Sequence, residues 1–213
     1  MINGNIDGLS KQVLLRMENI YDMTADKENF LSQDIVQLMC EFTGLINREI
    51  SVYLNRRGEV VDVSVGEAGQ VSLPYMNLRR SAVRLSGVRC VHTHPGGRGK
   101  LSGVDLNSLK ALRFDAMTAI GVLDGKFAEA YVAFLNPPDE AEPYTIYGPL
   151  TMEQICGEEL QKEIFRLDSL IGLPETVENQ KDEEERVILI GLDDRGEGIR
   201  SMDELEELAG TAG

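Results

Sequence analysis

VRCVHTHPGGRGKLSGVDLNSLKALR, residues 88–113, is the stretch whose reading decides the fold. Val88 to His94 reads as a short strand. Pro95-Gly96-Gly97-Arg98-Gly99 must be an irregular loop, because proline and closely spaced glycines suit neither helix nor ladder. Ser102 to Arg113 then reads as a helix. Met117 to Leu123 and Phe127 to Leu135 follow as two strands that turn at Asp124-Gly125. Strand, helix and strand in succession imply an α/β fold.

Upstream of this stretch, residues 10–22 place Val13, Leu14, Met17 and Ile20 on one helical face. A second helix is expected from Ser32, with Asp34 in its first turn, to about Ile46. Ile50 to Leu54 and Val60 to Val65 are rich in β-branched residues, and Arg57-Gly58 between them suggests a hairpin. Downstream, Pro137 and Pro138 break the pattern, and Leu150 to Leu170 reads as one long helix. Residues 174–186 are polar and acidic, with four consecutive acids from Asp182 to Glu185, and read as a linker. Val187 to Leu192 reads as a buried strand, and Ser201 N-caps a helix through Ala209 with Glu204 as its capping-box partner. A strand and a helix do not make a domain, so the sequence is expected to stop inside one. The organisation expected is a helical lead-in over 1–47, a metal-type α/β domain over 48–138, a helical segment over 139–173, the acidic linker over 174–186, and the truncated start of a second α/β domain over 187–213.

The net charge of −15 is uneven. Residues 1–138 carry 15 basic and 15 acidic side chains, whereas residues 139–213 carry 6 and 21. The acidic half argues against direct contact with nucleic acid through that half. The first half has a basic set, Arg56, Arg57, Arg79, Arg80, Arg84, Arg89, Arg98 and Lys100, that suits an anionic partner such as RNA or, more blandly, a mixed solvated surface. No run reaches the roughly 18 apolar residues of a membrane span, and the polar start, Met1 to Leu9, lacks the features of a signal peptide. A cytoplasmic protein without membrane contact is expected. Cys40, Cys90 and Cys156 are odd in number, far apart and never in CxxC, which fits reduced thiols and no disulfides.

The chemistry-bearing residues fall inside the opening stretch. His92 and His94 are the only histidines. Two apart on a strand, both imidazoles leave one face. Asp105 lies in the first turn of the next helix, and a strand end and a helix start can converge on one point. Two neutral imidazoles and a carboxylate make three ligands and leave a fourth position for water, the pattern of a catalytic zinc site. Zinc-bound water ionises near neutral pH, and hydrolysis further needs a proton carrier and a donor to the developing oxyanion. Ser102, one turn before Asp105, suits the donor. Ser102 and Asp105 also form a capping pair, a role compatible with ligation. Cys90 shares the strand face of both histidines and is a fourth ligand, a redox-sensitive neighbour or, as is commoner on a core strand, a buried apolar residue. Arg98 and Lys100 suit an anionic substrate or peptide carboxylate, or are solvated loop charges.

His92-x-His94-Pro95-x6-Ser102-x2-Asp105 resembles the JAMM (MPN+) metalloprotease signature, and the similarity covers roughly residues 45–135. The resemblance implies a mixed sheet flanked by helices, zinc held by His92, His94 and Asp105, Ser102 at the tetrahedral intermediate, an upstream glutamate as general acid/base, and a peptide or isopeptide substrate. Glu49, in Asn47-Arg48-Glu49-Ile50, is the choice for that glutamate. A similar opening occurs in the bacterial RadC branch of the fold. Glu41 and Glu59 compete, Glu59 less well because it sits in the hairpin turn.

Residues 186–192, Arg-Val-Ile-Leu-Ile-Gly-Leu, and 201–213, Ser-Met-Asp-Glu-Leu-Glu-Glu-Leu-Ala-Gly-Thr-Ala-Gly, are similar to the opening of HflX-type GTPases. The whole chain resembles the extended N-terminal region of some bacterial members. That resemblance implies a parent protein that binds GTP and the ribosome. The chain itself has no GxxxxGK[ST], hence no loop to cradle phosphates, and GTP would belong to a part not in this sequence. Two function classes follow: an enzyme cleaving an amide or isopeptide bond, and a noncatalytic ribosome-docking or regulatory module with a degenerate metal site.

Overall fold

Local sequence signals set the first elements of the fold. The structure is a computed structural model that describes residues 1–66 and 84–171. All of these belong to one unit, Met1–Leu173. The acidic linker, the strand at 187–192, the helix from Ser201, and Arg79 and Arg80 lie outside the described residues.

Strand β1 is Asn3–Gly4. Helix α1, Lys11–Glu18, starts where the Ser10 hydroxyl accepts the Val13 N–H, and passes into a 3-10 turn at Asn19–Asp22. Helix α2, Gln33–Ile46, is capped by Ser32 and ends at Asn47, whose φ of 51° is the left-handed stop that asparagine tolerates. Strands β2, Glu49–Asn55, and β3, Val60–Gly66, form the hairpin. Then come β4, Val88–Pro95; α3, Gly103–Leu112; β5, Ala116–Leu123; and β6, Lys126–Leu135.

Two expectations change beyond this point. Residues 144–150, placed within the helical segment, form strand β7, Tyr144–Leu150. The long helix is two: α4, Met152–Cys156, and α5, Glu159–Ile171. Thr151 and Gln154 build a capping box that starts α4 after the strand, and Gly157 in extended conformation ends it.

The sheet is mixed, in the order β1-β3-β2-β4-β5-β6-β7. β1 is parallel to β3 and β4 to β5; the other neighbours are antiparallel. The parallel pair β4–β5 needs a crossover, and α3 supplies it. Side chains alternate across β4. Arg89, Val91 and Thr93 face α2 and α5: Thr93 meets Thr43, and Arg89 meets Gln161. Cys90, His92 and His94 face α3, where Asp105 meets His92. The α2 side is filled by Phe30, Ile35, Met39, Phe42, Val52 and Phe134, all fully buried. No helix among the described residues is long and apolar enough to cross a membrane.

Candidate metal centre

The site forms at the carboxyl end of β4, where the chain leaves the sheet for α3. The His92 Nε2 and His94 Nε2 atoms are 3.0 Å apart, and His92 Nε2 is 3.4 Å from Asp105 Oδ1. One ligand atom from each of the three residues lies within 4.8 Å of the others. Zinc with bonds of about 2.0–2.2 Å separates tetrahedral donors by about 3.3 Å, so the two short edges already have the size of a coordination polyhedron. Two imidazole nitrogens 3.0 Å apart cannot both present lone pairs unless a proton or a cation lies between them. The three residues His92, His94 and Asp105 could therefore hold a metal ion.

Each ligand is oriented by its local structure. Asp105 divides its oxygens: Oδ2 accepts the Ser102 N–H at 2.6 Å, which closes the capping box, while Oδ1 faces His92. Capping thus occupies Oδ2 and leaves Oδ1 on the side of the imidazoles. Burial alone would raise its pKa, but the His92 ring and the Ser102 N–H and hydroxyl overcome that and hold it at about 2. His94 places Nδ1 3.2 Å from the Arg98 carbonyl. With Nδ1–H donating there, Nε2 keeps the lone pair a metal needs. Burial, and then the neighbouring His92, lower the His94 pKa and favour that neutral form. His92 Nδ1 is buried and has no hydrogen-bond partner, so the outward support seen at His94 is missing there.

Glu49 arrives through strand register. Ser51 lies opposite His92 in the antiparallel β2–β4 pair, and two residues on, Glu49 shares the face of His94. Its Oε1 is 3.8 Å from His94 Nε2. The β2–β4 ladder ends at Ser51, and Thr93 takes over. Its hydroxyl accepts the Ile50 N–H at 2.9 Å, donates to the Ile50 carbonyl at 3.3 Å, and lies 2.6 Å from the Thr43 hydroxyl. This buried clamp fixes the residue next to Glu49. The competing glutamates are elsewhere: Glu41 pairs with Arg16 at 2.7 Å, and Glu59 with Arg57 at 3.3 Å.

Ser102 is exposed at the start of α3, and its Oγ accepts the Asp105 N–H at 3.3 Å. Cys90 is outside the ligand group, buried against Tyr53, and burial pushes its thiol pKa up. The three cysteines are free thiols. The basic set disperses. Arg56 bonds Asp115 at 2.6 Å and Asp168 at 2.6 Å. Arg89 is buried between the Phe30 ring and Gln161, and burial lowers its pKa to about 10. A cleft of about 340 Å³ between Lys110, Leu135, Pro137 and Ile171 lies at the opposite end of the strands from the ligands.

Sequence reasoning did not reach the loop's fixings. Gly96 and Gly97 N–H groups both bond the Val122 carbonyl, and Gly99 N–H bonds Glu129 Oε1 at 3.1 Å. A Cβ on Gly121 would collide with the Gly97 carbonyl, so glycine there lets the loop lie on the sheet. The cluster of glycines at 96, 97 and 99 was the available signal.

No family model and no curated protein sequence matches this chain.

Proposed function

We propose that this chain carries a zinc-dependent amide or isopeptide hydrolase site of the JAMM type. The observation that carries the reading is the convergence of two imidazoles and one carboxylate within 4.8 Å of one another, with Glu49 Oε1 3.8 Å from His94 Nε2. The His94 side chain is 19 % exposed, so the site reaches the protein surface at that residue. Bound zinc supplies an acidified water and polarises the scissile carbonyl. The chain's residues do the rest. Glu49 takes a proton from the attacking water and returns it to the leaving amine, so the products are a carboxylate and an amine. The exposed Ser102 hydroxyl has its proton free of the capping bond and donates it to the oxyanion.

The test is cleavage of fluorogenic peptide and isopeptide substrates by the zinc-loaded chain. Glu49→Gln should lower kcat by about a hundredfold or more while retaining zinc. Cleavage unaffected by Glu49→Gln refutes the reading.

By resemblance we also read the chain as the N-terminal region of an HflX-type ribosome-associated GTP-binding protein. Its support is residues 186–213, and its test is salt-dependent co-sedimentation with ribosomes. A second reading of the site, a noncatalytic module with a degenerate centre, draws on the unpartnered His92 Nδ1. Zinc bound only weakly, with no cleavage, supports it.

A further inference from the structure

We propose that the loop at 95–100 makes the site selective for anionic polypeptides: Arg98, assisted by Lys100, binds a substrate carboxylate beside the amide presented to the metal centre. The inference rests on the hydrolase reading and names its substrate class.

Arg98 is tied to the centre through its own backbone, since its carbonyl oxygen lies 3.2 Å from His94 Nδ1. Its neighbours are pinned: Gly97 N–H bonds the Val122 carbonyl at 2.9 Å, and Gly99 N–H bonds Glu129 at 3.1 Å. Gly99 is packed so closely that an added Cβ would lie 2.8 Å from the Glu129 carbonyl oxygen and 2.9 Å from the Gly121 nitrogen. The guanidinium therefore starts from a fixed point next to a ligand.

That guanidinium is unspent. Among the described residues none makes a hydrogen bond or ion pair with the Arg98 side chain. Residues 1–138 hold 15 acidic side chains for 15 basic ones, yet none of the described acids pairs with Arg98. The acid bonded to the same loop, Glu129, accepts from Gly99 and leaves Arg98 alone. Lys100 is likewise exposed and unpaired among the described residues. Asp105 and Glu49 together balance a divalent ion, so they leave the loop's positive charge in place. A planar guanidinium recognises a carboxylate with two parallel hydrogen bonds.

Apolar neighbours point to a polypeptide. Val104, 47 % exposed, precedes the ligand Asp105, and Leu123, 56 % exposed, borders Gly97. A peptide covers both, whereas a small carboxylate leaves them in water. The carboxylate is either an acidic side chain or a free chain terminus.

The test uses the full zinc-loaded chain and alanine-leucine peptides containing aspartate or asparagine near the scissile bond, each with a free or an amidated C-terminus. Cleavage gives kcat/KM, and anisotropy with the Glu49→Gln chain gives Kd. A carboxylate should improve both about fivefold at low salt, and less at high salt. The aspartate–asparagine pair and the free–amidated pair show which source is read. Arg98→Gln with Lys100→Gln should bring the ratio to about one, and Arg98→Lys should keep part of it, with zinc affinity and unfolding midpoint unchanged. Equal treatment of charged and neutral peptides by the unmodified chain overturns the proposal, as does a preference that survives Arg98→Gln. Binding of a single-stranded oligouridylate in place of acidic peptide overturns it too. Carboxylate-dependent binding without cleavage refutes the hydrolase reading and leaves the anion site standing; cleavage without preference does the reverse.

Discussion

Replacing Thr93 by valine tests how the sheet aligns Glu49 with the histidines. Thr93 is fully buried, and its hydroxyl serves Ile50 N–H at 2.9 Å, the Ile50 carbonyl at 3.3 Å and the Thr43 hydroxyl at 2.6 Å. A hydroxyl has one proton and two lone pairs, so with Thr93 donating to Ile50, Thr43 donates to Thr93 and every position is used. Valine keeps the shape and strips the partner from the Ile50 N–H and the Thr43 hydroxyl. At about 1–3 kcal/mol for each buried group left unsatisfied, the expected loss is about 3 kcal/mol. For a unit of this size that lowers the unfolding midpoint by about 6–12 °C. Thr43→Val should cost about 1 kcal/mol in the unmodified chain. In the Thr93→Val background it should be neutral or stabilising, because there it removes a hydroxyl already orphaned. Thr93→Ser should return to within about 1 kcal/mol. Urea unfolding of the four chains measures the cycle. A Thr93→Val loss below about 1 kcal/mol, or the same Thr43→Val cost in both backgrounds, refutes the clamp.

Other outcomes follow from the same contacts. In metal-free protein the Asp105 carboxyl sits at about 2 against an ordinary 3.8, worth roughly 2 kcal/mol. Because its folded value is depressed, this stability is present above pH 3.8 and lost as pH falls through about 2. The stability difference between the chain and Asp105→Asn, measured in chelator, should be constant between about pH 4 and 5.5 and shrink below that; a difference that stays the same from about pH 5 to about pH 2 contradicts the assignment. Gly121→Ala forces its Cβ onto the Gly97 carbonyl and should cost about 1–3 kcal/mol while weakening zinc affinity, read by chelator competition. Arg89 Nε and Gln161 Nε2 are buried without partners, so Arg89→Met with Gln161→Leu should lose no more than about 1 kcal/mol in urea unfolding. A loss of 3 kcal/mol or more there would show the buried pair to be strongly stabilising.

The parts of the site that follow a fixed period were legible in the sequence. Strand alternation put His92 and His94 on one face, and the capping pattern Ser102-x2-Asp105 brought the carboxylate to the helix start where it meets them. Glu49 was legible as a candidate, but choosing it over Glu41 and Glu59 takes the Ser51–His92 register, which depends on how β2 slides along β4. Strand β7 was missed because most of its residues are exposed, so Tyr144–Leu150 lacks the apolar alternation that marks a half-buried strand. The break at Gly157 was hidden because apolar residues continue at helical spacing on both sides of it. Arg98's tie to His94 runs through a backbone carbonyl, which any residue possesses, so residue identity carries no trace of it.

Titration of the chain with zinc in competition with a chelator, followed by the unfolding midpoint, tests the metal centre most directly. One zinc per chain is expected, with the midpoint rising by about 5–10 °C at a hundredfold excess over Kd. His92→Ala, His94→Ala and Asp105→Asn should each abolish the rise, and Glu49→Gln should keep it. No bound zinc, or a rise that persists in His92→Ala, would contradict the convergence of these three side chains on one ion.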